Sequence, residues 1–177
     1  MATSIIEVID TGVKIGLGSL ITLVGTYVVT KINHKHDHDK ESRKRFYDSL
    51  EVVGANIEEI THIALRYWAL IIEWSRNNEQ GMGLTSKRQD ELEKTKNDLF
   101  DQFKNLTVAE SKLLLLNLSK QSKLVREYGE FITELRRKYY EGKNGLTEED
   151  MKSVRLTLLQ KREKLFESLA EAYANGL

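Results

Sequence analysis

The stretch ESRKRFYDSLEVVGANIEEITHIALRYWALIIEWSR, residues 41–76, carries the strongest periodic pattern in the chain. Apolar side chains recur in it at alternating spacings of four and three residues. One set recurs every seven residues and a second set lies between its members: Phe46, Val53, Ile60, Tyr67 and Trp74, with Leu50, Ile57, Ala64 and Ile71. This spacing predicts a long helix with one buried seam, as in a coiled coil or a helical bundle.

Three further helices are predicted after this one. The chain contains no proline, which favours long uninterrupted helices, and the stretch NNEQGMG (77–83) ends the first helix. Possible capping boxes mark three helix starts: Ser86 with Gln89, Thr107 with Glu110, and Thr147 with Asp150. We therefore predict helices over 87–104, 108–140 and 148–174, with Leu114 and Tyr173 among the inward residues. Four antiparallel helices joined by short loops form an up-down bundle.

The segment GVKIGLGSLITLVGTYVVTKI, residues 12–32, has a different character. No charged side chain lies between Ile15 and Thr30. With its flanking turn, the segment reaches about 20 residues or roughly 30 Å of helix, which predicts a transmembrane helix. The alternative is a buried helix of a soluble domain. Basic residues follow the segment, so we expect a single-pass inner-membrane protein with its N-terminus outside and its C-terminal domain cytoplasmic.

The predicted fold is therefore all-α, with three parts. An N-terminal segment with a single transmembrane helix covers residues 1–32. A polar juxtamembrane segment covers residues 33–45. A cytoplasmic antiparallel bundle of about four helices covers residues 46–177.

Small and hydroxyl-bearing residues gather on one face of the predicted membrane helix. That face holds Gly12, Ser19, Thr22, Thr26 and Thr30, and it is flanked by Gly18 and Gly25. Small residues let helix backbones approach closely, and hydroxyl groups can bond across such an interface. This face predicts helix packing between copies of the chain, or the lining of a gated pore. The alternative is a passive anchor whose hydroxyl groups bond only to their own backbone.

Two groups of cationic and aromatic residues are candidates for ligand binding. Arg66, Tyr67 and Trp68 lie together in an apolar part of the first helix, and Arg136 and Arg137 lie near the end of a later one. A guanidinium group beside an aromatic ring suits an anionic ligand with a base that stacks. The alternatives are an ion pair with a carboxylate of another helix, for Arg66, and a favourable interaction with the helix dipole, for Arg136 and Arg137.

The composition and the motifs exclude several classes of protein. Lys and Arg together number 27, as do Asp and Glu, so we do not expect general nucleic-acid binding. No catalytic motif, phosphate-binding loop or dinucleotide-binding turn is present, and we predict a non-enzyme without a cofactor. His34, His36 and His38 alternate in sequence, so one helix cannot bring all three to one metal ion. We therefore predict a solvated polar segment and no metal site. The alternative is an extended linker whose histidines converge on zinc within an oligomer.

In its layout the chain resembles the small membrane effectors of bacterial antiphage systems, such as the effector of the Hailong system. The resemblance implies a membrane-disrupting channel that stays shut until a nucleotide signal binds the cytoplasmic bundle, and it carries over no binding residue. The predicted partners are the lipid bilayer, other copies of the chain, and a small nucleotide or a cytoplasmic protein. The alternative function is a membrane-anchored adaptor or scaffold that recruits a soluble partner through its bundle.

Overall fold

The computed structural model describes the backbone of residues 5–141 and 146–176, and the side chains of residues 25–27, 29–31, 39–139 and 146–176. Within these ranges it contains four helices: α1 (Ile5–Glu79), α2 (Ser86–Leu115), α3 (Ser119–Glu141) and α4 (Glu148–Asn175). The chain divides into two compact units, Met1–Arg45 and Phe46–Leu177. In the first unit, Tyr27 and Val29 are exposed and Arg45 pairs with Glu41, one turn away on the same helix.

The second unit is an antiparallel bundle, and ion pairs show how α2 and α4 run beside α1. Arg88 near the start of α2 pairs with Glu73 near the end of α1, at 3.0 Å. Arg76, also near the end of α1, pairs with Glu148 at the start of α4, at 3.1 Å. Because both helices begin where α1 ends, both run antiparallel to it.

Helix α3 lies diagonally across the core from α1 and runs parallel to it. The hydroxyl groups of Thr61 and Tyr128 are 2.7 Å apart, and further along both helices the rings of Tyr67 and Tyr139 meet edge to face. All the heptad residues of α1 from Phe46 to Ile71 are buried, and Trp74 is partly buried. The helical bundle therefore agrees with the heptad pattern.

The predicted transmembrane helix is wrong, and so is the single-pass inner-membrane localisation. No described helix contains a stretch that is both long enough and apolar enough to cross a bilayer. The sequence gives a physical reason. The uncharged run from Ile15 to Thr30 has 16 residues, of which seven are glycine, serine or threonine, whereas a bilayer core requires about 20 mainly apolar residues. The channel prediction depended on this helix, and no described residue tests it.

The boundary between α2 and α3 differs from the prediction. Helix α2 continues through Thr107, whose hydroxyl donates to the Phe103 carbonyl 3.3 Å away instead of capping a new helix. The chain turns at Asn117, which has a φ of 60°. There the Leu118 N–H donates to the Leu113 carbonyl at 2.8 Å and closes a Schellman motif. Asn117 thus occupies the left-handed position after the end of the helix, where glycine is more common.

The other helix ends agree more closely with the sequence. Thr147 and Asp150 form a complete capping box at the start of α4. Helix α2 is capped by Thr85, one residue before the predicted Ser86. Helix α1 ends before Gly81, whose φ of 73° suits glycine.

Candidate protein-interaction face

Only part of the predicted packing face of residues 12–30 can be located. Gly12, Gly18, Ser19 and Thr22 lie outside the residues whose side chains are described. Gly25, Thr26 and Thr30 are exposed. The side chains of His34, His36 and His38 also lie outside the described residues. Among the described residues, no group of histidine and carboxylate side chains is arranged to hold a metal ion.

The structure does not bring Arg66, Tyr67 and Trp68 into one site. Arg66 is half exposed and pairs with Glu91 of α2 at 3.1 Å. Hydrogen bonds from Arg88 and Arg66 lower the pKa of Glu91. Tyr67 is fully buried in the core.

Trp68 faces a different neighbour. Its indole N–H donates to the carbonyl of Met151 in α4 at 2.5 Å, and the guanidinium of Arg155 lies 5.6 Å from its ring centre. The three consecutive residues thus contact α2, the core and α4 respectively.

Arg136 and Arg137 also diverge. The guanidinium of Arg136 lies over the ring of Phe100 in α2, 5.5 Å from its centre. Arg137 pairs with Glu134 of its own helix at 3.1 Å. The five candidate ligand residues are therefore spread over separate faces of the bundle and form no common pocket.

An apolar stripe on the outward face of α2 is the most distinctive surface of the described bundle. The inward face of α2 buries Leu92, Leu99, Leu106 and Leu113. On the opposite side, Phe100, Val108, Leu114 and Leu115 expose 61%, 46%, 52% and 86% of their surface. Helical spacing places these four on one face with Lys104, Thr107 and Ser111. We call these seven residues the α2 stripe.

The α2 stripe has little charge for its length. It extends for roughly 22 Å along the helix, and Lys104 is its single charged member. Side chains of both signs flank it on the α1 side, where Asp101 is exposed and Lys112 is partly exposed. On the α3 side it is flanked by Phe103, which is partly buried against the core. The stripe thus combines four large apolar side chains with Lys104, Thr107 and Ser111 between them. Charged side chains flank it on both sides, since the guanidinium of Arg136 in α3 lies over Phe100.

A groove of about 390 Å³ runs along the α3 side of the stripe. Leu106, Val125 and Gly129 form its floor. Glu110 of α2 accepts a hydrogen bond from Nε of Arg126 in α3 at 2.9 Å, and this contact raises the pKa of Arg126. The ion pair fixes α2 against α3 beside the stripe.

A second groove, of about 350 Å³, lies between α1 and α4. Leu50, Gly54 and Phe166 line it together with Tyr173. Tyr173 was predicted to face the core, yet it is 47% exposed and its ring packs against Tyr47 with centres 4.6 Å apart. One side chain that lines this groove, Tyr173, is thus held by an aromatic contact between α4 and α1.

Two buried hydroxyl groups, those of Thr61 and Tyr128, form a hydrogen bond within the core. Thr61 donates its hydroxyl proton to the Ile57 carbonyl at 2.6 Å. Because Thr61 has one hydroxyl proton, the Tyr128 hydroxyl must be the donor in the 2.7 Å contact between them. Burial raises the pKa of Tyr128 to about 12. Tyr128 is thus a neutral hydrogen-bond donor at physiological pH, which suits a structural role.

Comparison of the chain with protein-family models, with curated proteins and with solved structures found no match.

The α2 stripe was not predicted from the sequence, because the predicted helices had a boundary at Thr107. With a break there, residues 87–104 and 108–140 had independent helical phases, and Leu114 was assigned to the core. One continuous helix has a single phase. With Leu99, Leu106 and Leu113 inward, that phase places Phe100 and Leu115 outward.

Proposed function

We propose that this chain is a non-catalytic interaction protein whose helical bundle binds another protein surface through the α2 stripe. The supporting observation is the exposure of four large apolar side chains on the face of α2 that points away from the core. Contiguous apolar surface of this kind marks interaction sites on folded proteins. This is the adaptor or scaffold role considered from the sequence, without the membrane anchor.

The flanks of the stripe also suit protein binding. Interfaces typically combine an apolar centre with a polar rim, and Asp101 and Lys112 supply charges beside the apolar centre. A rim charge affects the rate and specificity of association more than the affinity. We therefore assign the binding energy to Phe100, Val108 and Leu115, and the selection of orientation to the charged flank.

The other role considered from the sequence, an antiphage effector whose bundle senses a nucleotide, stays a prediction. Its candidate ligand residues lie on separate faces of the described bundle, so no described pocket favours it over the adaptor role.

Site-specific photocrosslinking tests the proposal. A photoreactive phenylalanine analogue replaces Val108 in the stripe, and in a matched control it replaces Glu163 on the outer face of α4. We expect crosslinked protein adducts at position 108 on irradiation of the producing cells, and their loss when Leu115→Lys is added. Equal adduct yields at positions 108 and 163 would contradict the proposal.

A further inference from the structure

We infer that the α2 stripe binds the α2 stripe of a second copy of the chain, antiparallel and about a twofold axis. This inference rests on the proposed function, and it identifies the protein that binds the α2 stripe as a second copy of the chain. A twofold contact requires a surface that complements itself. The stripe meets this requirement when the axis passes between Thr107 and Val108, because each residue then faces a compatible residue of the other copy.

The contact has large apolar residues at its two ends and smaller side chains near the axis, where the helices approach. In this register Phe100 lies across from Leu115 of the second copy, at both ends of the contact. Lys104 lies across from Ser111, so the charged member of the stripe faces a hydroxyl group instead of another cation. Thr107 lies across from Val108 at the axis. No like charges are therefore opposed along the centre.

The two flanks also complement themselves. In an antiparallel pair of helices, the same flank of each copy meets across the axis. On the α1 side this brings Asp101 of one copy beside Lys112 of the other, twice by symmetry. Neither side chain has an ion-pair partner among those described for the bundle. On the α3 side, Phe103 lies near Leu114 of the other copy.

The charge and the size of the surface indicate a reversible dimer. The formal net charge of the chain is +0, so two copies do not repel each other at long range. A contact along a single helix of this length lies near or below the ~1,200 Å² at which specific interfaces begin. We therefore expect association that depends on protein concentration, with dissociation on dilution.

Sedimentation velocity over a series of protein concentrations tests this inference on the full chain. The unaltered protein should shift from monomer to dimer as its concentration rises. Leu115→Lys should weaken the dimer at least about tenfold, since it places a charge at both ends of the apolar contact. The matched control is Leu156→Lys, because Leu156 is a similarly exposed leucine of α4 (60%) outside the stripe. It should leave the association unchanged.

Charge reversal tests the register itself. Asp101→Lys alone or Lys112→Asp alone should each weaken the dimer about tenfold, because each opposes like charges across the axis. The double variant, Asp101→Lys with Lys112→Asp, should restore it. These residues are eleven apart on one helix, roughly 16 Å along its axis, so an interaction within one copy cannot explain restoration. Circular dichroism confirms that each variant keeps its helical content.

The outcomes separate this inference from the proposed function. Failure of the double variant to restore association would overturn the antiparallel register. A protein that stays monomeric at all concentrations would overturn the second copy as the partner. If the crosslinks at position 108 then join a different protein, the proposed function still stands. If position 108 forms no crosslinks either, both proposals fail.

Discussion

The outward faces of α2 and α3 differ sharply, although the two helices pack side by side in one bundle. Outward positions of α3 carry charged side chains in close succession: Lys123, Glu127, Glu130, Glu134, Arg137 and Lys138. The α2 stripe has one charge among seven residues. A charged outer face gains hydration in water, whereas exposed apolar surface gains free energy when another surface covers it. Helix α2 therefore has two faces suited to burial, and the bundle covers one of them.

The two faces of α2 can be compared through leucines that are two residues apart. Leu113 is fully buried and Leu115 is 86% exposed. We expect Leu113→Ala to lower the free energy of unfolding by about 2–5 kcal/mol, and Leu115→Ala to change it by less than about 0.5 kcal/mol. Urea denaturation at low protein concentration measures both. A comparable loss for Leu115→Ala would show that the stripe belongs to the core of the single chain.

The inward face of α3 differs from that of α2 in carrying a buried tyrosine, Tyr128, whose hydroxyl bonds to Thr61 of α1. Thr61→Val leaves the buried Tyr128 hydroxyl without its acceptor, and we expect a loss of about 1–3 kcal/mol. Tyr128→Phe removes a donor and leaves no unsatisfied proton, so we expect a loss nearer 1 kcal/mol. Denaturation of both variants and of the double variant measures the difference. The assigned direction of the hydrogen bond would be contradicted if Tyr128→Phe were the more damaging change.

One glycine in each of two helix contacts shows how closely the helices pack: Gly129 between α2 and α3, and Gly54 between α1 and α4. A Cβ atom at Gly129 would lie 3.0 Å from Cδ1 of Leu106, whereas one at Gly54 would lie 3.6 Å from Cε1 of Phe166. Alanine gains about 1 kcal/mol over glycine within a helix. We therefore expect Gly54→Ala to stabilise the bundle by about that amount. We expect no such stabilisation from Gly129→Ala, because the close contact with Leu106 offsets the gain in helix propensity. Thermal unfolding measures both, and equal stabilisation would mean that α2 and α3 pack less tightly than we infer.

The smallest expected change in stability comes from the ion pairs that Glu148 forms with Arg76 and Lys152 at the surface of the bundle. Hydrogen bonds from Arg76 and Lys152 lower the pKa of Glu148 from 4.5 to about 2. A carboxyl group whose pKa is lower in the folded state stabilises that state above the unfolded pKa, and this stabilisation is lost as pH falls from 4.5 towards 2. The melting temperature of the unaltered protein should therefore exceed that of Glu148→Gln at pH 7. The difference should disappear near pH 2, and a constant difference would contradict the assigned pKa.

The sequence predicted the bundle well because its strongest signal, the seven-residue repeat of α1, depends on burial alone. Each side chain of the repeat from Phe46 to Ile71 is buried, and Trp74 is partly buried. The capping box of Thr147 was equally local, since donor and acceptor lie within one turn. Predictions of this kind need no knowledge of the neighbouring helices.

Other features could not be predicted because they depend on competing local interactions or on neighbouring helices. Thr107 has the spacing of a helix cap, yet its hydroxyl bonds within a continuous helix. The site residues show the same limit: Arg66 has its carboxylate partner on α2, 25 residues further along the chain. Sequence spacing within one helix could not identify that partner. The α2 stripe could be identified only once α2 was known to be one continuous helix, because its continuity determines which residues face outward.

The most direct test of the central claim follows individual methyl groups by NMR. The protein is labelled at leucine and valine methyl groups and kept dilute, and unlabelled extract of the producing cells is then added. We predict that the signals of Val108 and Leu115 shift or broaden while that of Leu156 stays unchanged. Unchanged signals at Val108 and Leu115, or an equal change at Leu156, would contradict the claim that α2 carries the binding face.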